Sequence, residues 1–279
     1  MEMSFGIIGG DRRQTELARL LAADQHSVAV FGVSGGMPPV KEVLEEAIGA
    51  DVVILPLPLC KGDGVLNCGE YPMTTRDLFR RLRPEQRIFA GQVLPQQREE
   101  AARCGLVLED YFLREELTVA NAAATAEAAV QLAMERMERM LLGMDCLVLG
   151  FGRIGKLLSH RLSGMGARVT ATARKPEDLA WIRAYGFGAE ETANLDGKLG
   201  SYGVVFNTVP HPVLGARLVA QFRPGCLCID LASKQGIDLA AAETLGLSNL
   251  WARSLPGRFV PCTAAEAIRD AVYHILSER

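Results

Sequence analysis

Asp145-Cys-Leu-Val-Leu-Gly150-Phe-Gly152-Arg153-Ile154-Gly155 is the most informative segment of the chain. An apolar run ends at its first glycine, and leucines at helical spacing follow its last, so the pattern G-x-G-x-x-G should join a strand to a helix. Gly150 would permit the turn, Gly152 would let backbone N–H groups approach a pyrophosphate, and Gly155 would let the helix pack closely on the strand. The segment therefore predicts a dinucleotide site at a helix N-terminus.

A purely structural glycine turn has the same pattern, so the flanking residues must decide. A second apolar strand at residues 168–173 follows where a βαβ unit requires it. Residues 156–176 contain no Asp or Glu, although an NAD enzyme usually has one there for the ribose 2′-hydroxyl. The strand ends instead in Thr172-Ala-Arg174-Lys175, and Arg can hold a phosphate through two N–H groups.

We therefore predict NADP, with Arg174 as its main determinant; a solvated basic turn before a helix is the alternative. Strands that emerge at the same edge should complete the cofactor site. The predicted cofactor contacts are Gly150, Gly152, Arg153, Ile154, Gly155, Thr172, Arg174, Lys175, Asn207, Thr208, Val209, Pro210, Leu231 and Pro256.

Composition excludes several classes of protein. The 279 residues suit two domains, and 49% hydrophobic residues, 23% charged residues and a net charge of −3 are typical of a globular protein. Basic residues are dispersed and no apolar run is long enough for a bilayer, so we expect neither nucleic acid nor a membrane as a partner. The odd number of cysteines, seven, and the lack of paired ligand spacing predict reduced thiols, no metal site and a cytoplasmic protein without a signal peptide.

The order of apolar runs and turns predicts an α/β fold with two doubly wound parallel-sheet domains, the second of them a Rossmann domain. The predicted organisation is a flavodoxin- or Rossmann-like substrate domain at 1–118, a bridging helix at 119–142, an NADP-binding Rossmann domain at 143–261 and a terminal helix at 262–279. In the first domain, Gly9-Gly10-Asp11-Arg12-Arg13-Gln14 should open a helix. That N-terminus could hold a small anion, or Asp11 could simply cap it.

His211 is a candidate proton carrier because it lies just past a strand that should end near the nicotinamide. It stands between Pro210 and Pro212 and has no carboxylate partner in the sequence, so an ordinary surface histidine is the alternative. Glu127 is a candidate proton acceptor on the bridging helix, where the helix dipole explains a glutamate equally well.

Six segments in this order resemble the A subunit of dipicolinate synthase nearly end to end. They are the Gly9 to Gln14 segment, Asn121-Ala-Ala-Ala-Thr125-Ala-Glu127, Val148 to Gly155, Asn207-Thr-Val-Pro210, Ile229-Asp-Leu-Ala-Ser233 and Leu255-Pro-Gly257. The family often has Pro before the Thr-Ala-Glu segment and Gly after it, where this chain has Ala124 and Ala128.

The resemblance implies a fold like that of the two-domain 2-hydroxyacid and alanine dehydrogenases, with the terminal helix returning to the first domain. It also implies NADP-dependent conversion of 4-hydroxy-tetrahydrodipicolinate to dipicolinate in the mother cell of a sporulating bacterium, together with the flavoprotein-like B subunit of dipicolinate synthase. We expect a homo-oligomer as well. A dicarboxylate needs cations or helix N-termini, so we expect substrate contacts at Arg13, Gln14, Thr125, Ser233 and Lys234.

Two alternatives remain open at this point. The chain could be another NADP-linked dehydrogenase of amino or hydroxy acids, although such enzymes generally need an evident acid/base pair. It could also be a non-catalytic component that binds a dinucleotide in a complex without turning it over.

Overall fold

The computed structural model describes residues 3–35, 43–62 and 64–278. The chain forms two compact units, Met1–Asn121 with Pro256–Arg279, and Ala122–Leu255. Each unit has one parallel sheet with helices packed on it, so the predicted α/β class with two doubly wound domains is confirmed. None of the helices in the described ranges combines the length and apolar composition that crossing a bilayer requires.

The first unit contains a five-stranded parallel sheet in the order β2-β1-β3-β6-β7. Counting only these strands, the order is 2-1-3-4-5, which is the flavodoxin-like arrangement. A short antiparallel hairpin, β4 with β5, lies outside the sheet. The elements are β1 Ser4–Ile8, α1 Arg12–Ala23, β2 Ser27–Phe31, α2 Leu44–Gly49, β3 Val52–Ile54, β4 Cys60–Gly62, β5 Val65–Leu66, α3 Thr75–Phe79, β6 Arg87–Ala90, α4 Pro95–Arg103, β7 Leu108–Asp110 and a 3₁₀ turn at Tyr111–Leu113.

The helix that joins the units, α5, spans Glu115–Arg136 rather than the predicted 119–142. It begins earlier because Glu115 and Glu116 occupy its first turn, where carboxylates favour a helix N-terminus. It ends earlier because the chain turns after Arg136, buries Leu141 and passes through Gly143 in a left-handed conformation, φ 71°. The helix propensity of residues 137–142 is overridden by this packing.

The second unit holds a six-stranded parallel sheet in the order β10-β9-β8-β11-β12-β13. In chain order this is 3-2-1-4-5-6, the Rossmann arrangement, with β8 and β11 at the point where the order reverses. The elements are β8 Asp145–Leu149, α6 Arg153–Gly164, β9 Arg168–Ala173, α7 Pro176–Ala184, β10 Gly188–Glu191, β11 Val204–Asn207, α8 Ala216–Val219, β12 Leu227–Asp230, α9 Leu239–Thr244 and β13 Asn249–Trp251.

The last two helices are α10, Leu255–Phe259, and α11, Pro261–Ser277. Residues 256–279 are part of the first unit, and α11 packs on α1. The apolar faces of α1 and α11 belong to one core cluster with β1 and β3. Leu17 and Leu21 come from α1, and Ile268 and Val272 come from α11. A chain segment from the far end of the sequence therefore completes the first unit's core.

Candidate functional site

At the carboxyl edge of the second sheet, one residue from each of the six strands pairs in register with its neighbours, and these six residues form a row across the sheet. In sheet order the row is Glu190, Thr172, Leu149, Asn207, Asp230 and Trp251. Ligands of open parallel sheets collect beyond the carboxyl ends of the strands, at the switch point between β8 and β11. The loops that follow this row are therefore the candidate site.

The glycine turn after β8 has the geometry that its sequence predicted. Gly150 adopts φ +91°, a left-handed conformation that side chains other than glycine rarely take. A Cβ on Gly155 would lie 2.1 Å from the carbonyl oxygen of Gly150, so only glycine lets α6 approach the strand this closely. A Cβ on Gly152, in contrast, would meet no atom within 4 Å, so open space lies over the helix N-terminus.

The N-terminus of α6 is not closed by the protein's own side chains. Gly152 is its N-cap and offers no side chain that could accept from the first turn, and that turn holds no Asp or Glu. The first turn also carries Arg153, which is exposed, and Ile154. A diphosphate would find there backbone donors, the positive end of the helix dipole and room to approach. These residues fit a bound dinucleotide.

At the end of β9, Thr172 is buried and has a structural role, whereas the cations Arg174 and Lys175 are exposed. Thr172 is fully buried; its hydroxyl accepts from the Gly150 N–H at 3.2 Å and lies 3.1 Å from the Thr192 hydroxyl. Thr172 thus supports the glycine turn, and its predicted contact with a 2′-phosphate has no support from the contacts. Arg174 and Lys175 are exposed, and Arg174 forms no hydrogen bond or ion pair with the described residues. Lys175 forms only a loose surface pair with Glu177 at 3.6 Å.

A buried carboxylate, Asp230, joins the loops after β11 and β12. Its Oδ1 accepts from Asn207 Nδ2 at 2.9 Å and from the Ala232 N–H at 3.0 Å. Its Oδ2 accepts from the N–H groups of Gly236 at 2.7 Å and Ile237 at 3.0 Å. Four neutral donors thus solvate the charge. Sequence reasoning gave Asp230 no role of its own; the available signal was an acidic residue that closes an otherwise apolar strand.

Asn207 shapes the loop that carries the predicted nicotinamide contacts. Fully buried, it donates through Nδ2 to the Val209 carbonyl oxygen and accepts from the Val209 N–H through Oδ1, both at 3.0 Å. The Thr208 hydroxyl donates to the Leu149 carbonyl oxygen at 2.8 Å, which ties this loop to the end of β8. Val209 is half-buried, Pro210 is exposed and Leu231 is buried. Asn207 and Thr208 position the loop, while Pro210 is open to a ligand.

Two predicted substrate ligands and His211 are exposed at the same edge. Ser233 and Lys234 lie in the loop after β12. His211 lies in the loop after β11, and its Nδ1 is 3.2 Å from the Pro212 carbonyl oxygen. Within the described ranges no carboxylate pairs with this imidazole, so the alternative that His211 is an ordinary surface histidine stays open.

Glu127 does not lie near the glycine turn. Its Oε1 accepts from Arg161 Nη2 at 2.9 Å, and Arg161 stands in the last turn of α6. Eight residues of helix separate Arg161 from Arg153, about 12 Å. The proton-acceptor role expected for Glu127 therefore has no support from the contacts. Thr125 is buried ten residues into α5, not at a helix start, so it has no N-terminal donors to share with a substrate.

In the first unit, the predicted anion site at α1 is occupied by the protein's own carboxylate. Asp11 caps the helix, and Gln14 Oε1 accepts from the Asp11 N–H at 3.0 Å to complete a capping box. The buried Arg13 side chain donates to both Asp11 oxygens at 2.9 Å and also to the Leu57 carbonyl oxygen. The simple capping alternative describes this helix start, and the substrate role of Arg13 and Gln14 has no support from the contacts. Pro256 is buried in α10 and belongs to this unit.

All seven cysteines are free. Burial raises the pKa of the Cys146 thiol to about 12 and that of Cys60 to about 11, so both stay protonated at neutral pH. In the part of the chain that the structure describes, no cluster of three or more His, Cys, Asp or Glu residues is arranged to hold a metal ion.

The fold and the glycine turn together define a two-domain protein with a dehydrogenase-like fold. The structure superposes on an L-alanine dehydrogenase with a TM-score of 0.65 at 16% identity, covering 94% of this chain and 83% of that one. At this identity the likeness concerns the fold alone.

Closer similarity extends along the whole chain. Residues 4–112 match the family model of the N-terminal domain of the dipicolinate synthase A subunit. The A subunit of dipicolinate synthase from Bacillus subtilis (strain 168) is 28% identical over 286 residues, covering 99% of this chain and 96% of the relative. The crystal structure of the same protein from Bacillus halodurans superposes with a TM-score of 0.84 at 25% identity, covering 99% and 98%. The resemblance to the dipicolinate synthase A subunit is confirmed, and this chain is similar to that protein along nearly its whole length.

Proposed function

We propose that this chain is the dehydrogenase component of a dipicolinate synthase and that it uses NADP. It would convert 4-hydroxy-tetrahydrodipicolinate to dipicolinate in a sporulating bacterium, with the flavoprotein-like B subunit as its partner. The observation that carries the proposal is the open N-terminus of α6, followed one strand away by the exposed Arg174, in a chain similar to the dipicolinate synthase A subunit over its full length.

The reaction fits what the carboxyl edge offers. The substrate loses water and then a hydride and a proton, which leaves an aromatic pyridine ring; the nicotinamide accepts the hydride. The chain's own task is then to hold the dinucleotide and a dianion in register and to exclude other orientations. Gly152 leaves room for the diphosphate, the Asn207–Asp230 pair fixes the loops beside the nicotinamide, and Lys234 supplies a cation.

The positive charge at the end of β9 supports NADP, rather than NAD, as the cofactor. Arg174 follows the row residue Thr172 by two positions, and Lys175 comes next, so two cations stand where a ribose 2′-phosphate would lie. Changing Arg174 to Asp should weaken NADPH binding by roughly 10- to 100-fold, since a charge-assisted contact is lost and a repulsive one gained. NADH binding should change little. The exposed Arg183 on α7, changed to Asp, is the matched control, and an unaltered NADPH-to-NADH ratio in the Arg174 variant would remove the assignment.

Activity is tested by following NADP reduction with substrate and the purified chain, the B subunit, or both together. We expect reduction in the combined mixture. A second candidate function, dinucleotide binding without turnover, is favoured by one observation: among the described residues, no carboxylate pairs with His211, and Glu127 is bound to Arg161. Absence of reduction in every mixture, with NADPH binding intact, would leave that binding role.

A further inference from the structure

The Arg253 guanidinium lies over the Trp251 ring at the outer end of the carboxyl edge. Trp251 is the row residue of β13, and its indole N–H donates to the Ala232 carbonyl oxygen at 2.8 Å, so the ring is fixed against the loop after β12. The guanidinium carbon of Arg253 lies 4.3 Å from the centroid of that ring. Stacking of this kind holds the cation by its face and lowers the entropy lost when it binds a ligand.

The stacked guanidinium keeps its hydrogen-bond donors. Its N–H groups lie in its own plane, so a ring against its face leaves them available. Arg253 is exposed and forms no hydrogen bond or ion pair with any residue in the described ranges. Arg87 offers the contrast, because it also lies over a ring, that of Phe89, yet it is neutralised by Glu109 at 2.7 Å. Arg253 is therefore held in place without a carboxylate of its own.

The position of Arg253 on the sheet indicates which ligand it could bind. It follows the row by two residues at β13, as Arg174 does at β9, and four strand steps of about 4.8 Å place the two strand ends about 19 Å apart. A dinucleotide with its 2′-phosphate at β9 and its diphosphate at β8 reaches the nicotinamide loops of β11 and β12. The end of β13 lies beyond these loops, so a substrate that extends outward from the nicotinamide would meet it.

We propose that Arg253, stacked on Trp251, binds one of the two carboxylates of the substrate through a bidentate pair. Arg and carboxylate match in this geometry, and the exposed Lys234, two residues after the Ala232 that Trp251 contacts, offers a cation for the other carboxylate. This inference rests on the proposed function and deepens it: Arg253 is a specificity-determining residue that distinguishes a dicarboxylate from a monocarboxylate.

The test uses the full chain saturated with NADPH and two probes, pyridine-2,6-dicarboxylate and pyridine-2-carboxylate. The wild-type chain should bind the dicarboxylate at least tenfold more tightly. In Arg253→Gln this preference should fall to about one, because only the dicarboxylate loses a contact, while NADPH affinity stays unchanged. Arg253→Lys, which keeps the charge but not the fork, should fall between the two. Arg183→Gln, on the outer helix α7, is the control for loss of one positive charge.

A direct reporter comes from the chain's two tryptophans. In a Trp181→Phe background, Trp251 is the only indole, and its fluorescence should change when the dicarboxylate binds. If wild-type chain binds neither probe, the proposed function and this inference both fail. If it binds the dicarboxylate and Arg253→Gln retains the same preference, this inference alone is overturned and the proposed function stands.

Discussion

The first strand of each unit leads through a glycine turn into a helix, and the two units differ in what lies at the helix N-terminus. In the first unit Asp11 caps α1, binds the buried Arg13 and completes a box with Gln14. In the second unit Gly152 caps α6 and contributes no side chain, and open space lies above it. The same local fold is closed by its own carboxylate in one unit and left open in the other.

Removing the carboxylate from the closed turn should give the largest effect. Asp11→Ala leaves Arg13, whose side chain is 5% exposed, without its counter-charge, and it also deletes the cap. We expect the first unit to lose about 3–5 kcal/mol of unfolding free energy, measured by denaturant titration, with NADPH affinity unchanged. Asp11→Asn, which keeps an acceptor for the helix, should lose less. An Asp11→Ala chain as stable as wild type would contradict the closed-turn description.

Adding a carboxylate to the open turn should block it. The backbone of Gly152, φ −77° and ψ −164°, suits any residue, and its Cβ position is empty, so Gly152→Asp would copy the cap of α1. We expect NADPH affinity to fall at least 100-fold, about 2.8 kcal/mol. Thermal stability should stay the same or rise slightly, because Asp caps a helix at least as well as Gly.

Gly152→Ala is the steric control for this variant, and its loss of NADPH affinity should be smaller. Calorimetric titration of both variants measures the difference. If Gly152→Asp binds NADPH as wild type does, the diphosphate lies somewhere other than at α6.

Removing the support under the open turn should have a moderate effect. Thr172→Val keeps the shape of the side chain but leaves the Gly150 N–H without its acceptor, at a cost of about 1 kcal/mol. NADPH and NADH binding should weaken equally and less than tenfold, because the hydroxyl supports the turn and does not face the 2′-phosphate. A selective loss of NADPH binding would instead make Thr172 a phosphate ligand.

The amino edge of each sheet carries a hydrogen-bonded aspartate. Removing the partner of one of these aspartates should have the smallest effect. The Asp145 carboxylate accepts from Arg168 at 2.7 and 2.8 Å, and this hydrogen bonding holds the Asp145 pKa below its usual range. In the first unit, Asp51 accepts from the Ser4 hydroxyl at 2.6 Å, which lowers the Asp51 pKa in the same way.

Because the folded pKa of Asp145 is lowered, its contribution to stability is complete above the unfolded pKa, about 3.9, and is lost as pH falls through the folded value. Arg168→Gln should cost less than about 0.5 kcal/mol at pH 7, since the Arg168 side chain is largely exposed. Melting temperatures measured from neutral pH into acid should converge below about pH 4. A gap that persisted in strong acid would show that Arg168 acts through packing instead.

Sequence patterns predicted the second sheet and the glycine turn because both depend on local rules: apolar runs form the strands, and glycines are required where φ is positive or a helix approaches closely. The edge strand β10, Gly188–Glu191, was missed because an exposed edge strand can be polar. The roles of Asp11 and Asp230 depend on partners that the chain brings together only on folding: a buried guanidinium for one, and backbone N–H groups six and seven residues away for the other.

The expectation for Glu127 lacks support for a related reason. Its place on the bridging helix was predicted, but α5 begins at Glu115, so Glu127 is not in the first turn, and its ion pair with Arg161 of α6 forms only in the folded chain. Sequence spacing fixes which residues share a helix face, but it does not fix which neighbouring helix that face meets.

The four donors around Asp230 also limit how this protein can change over evolutionary time. An insertion or deletion that moved Asn207, Ala232, Gly236 or Ile237 would strand a negative charge in the interior, so the loops after β11 and β12 must be inherited as a pair. Room for new side chains is confined to the exposed tips, Pro210–Pro212 and Ser233–Gln235. Homologues with altered substrates should therefore differ at these tips while the buried carboxylate beneath them stays the same.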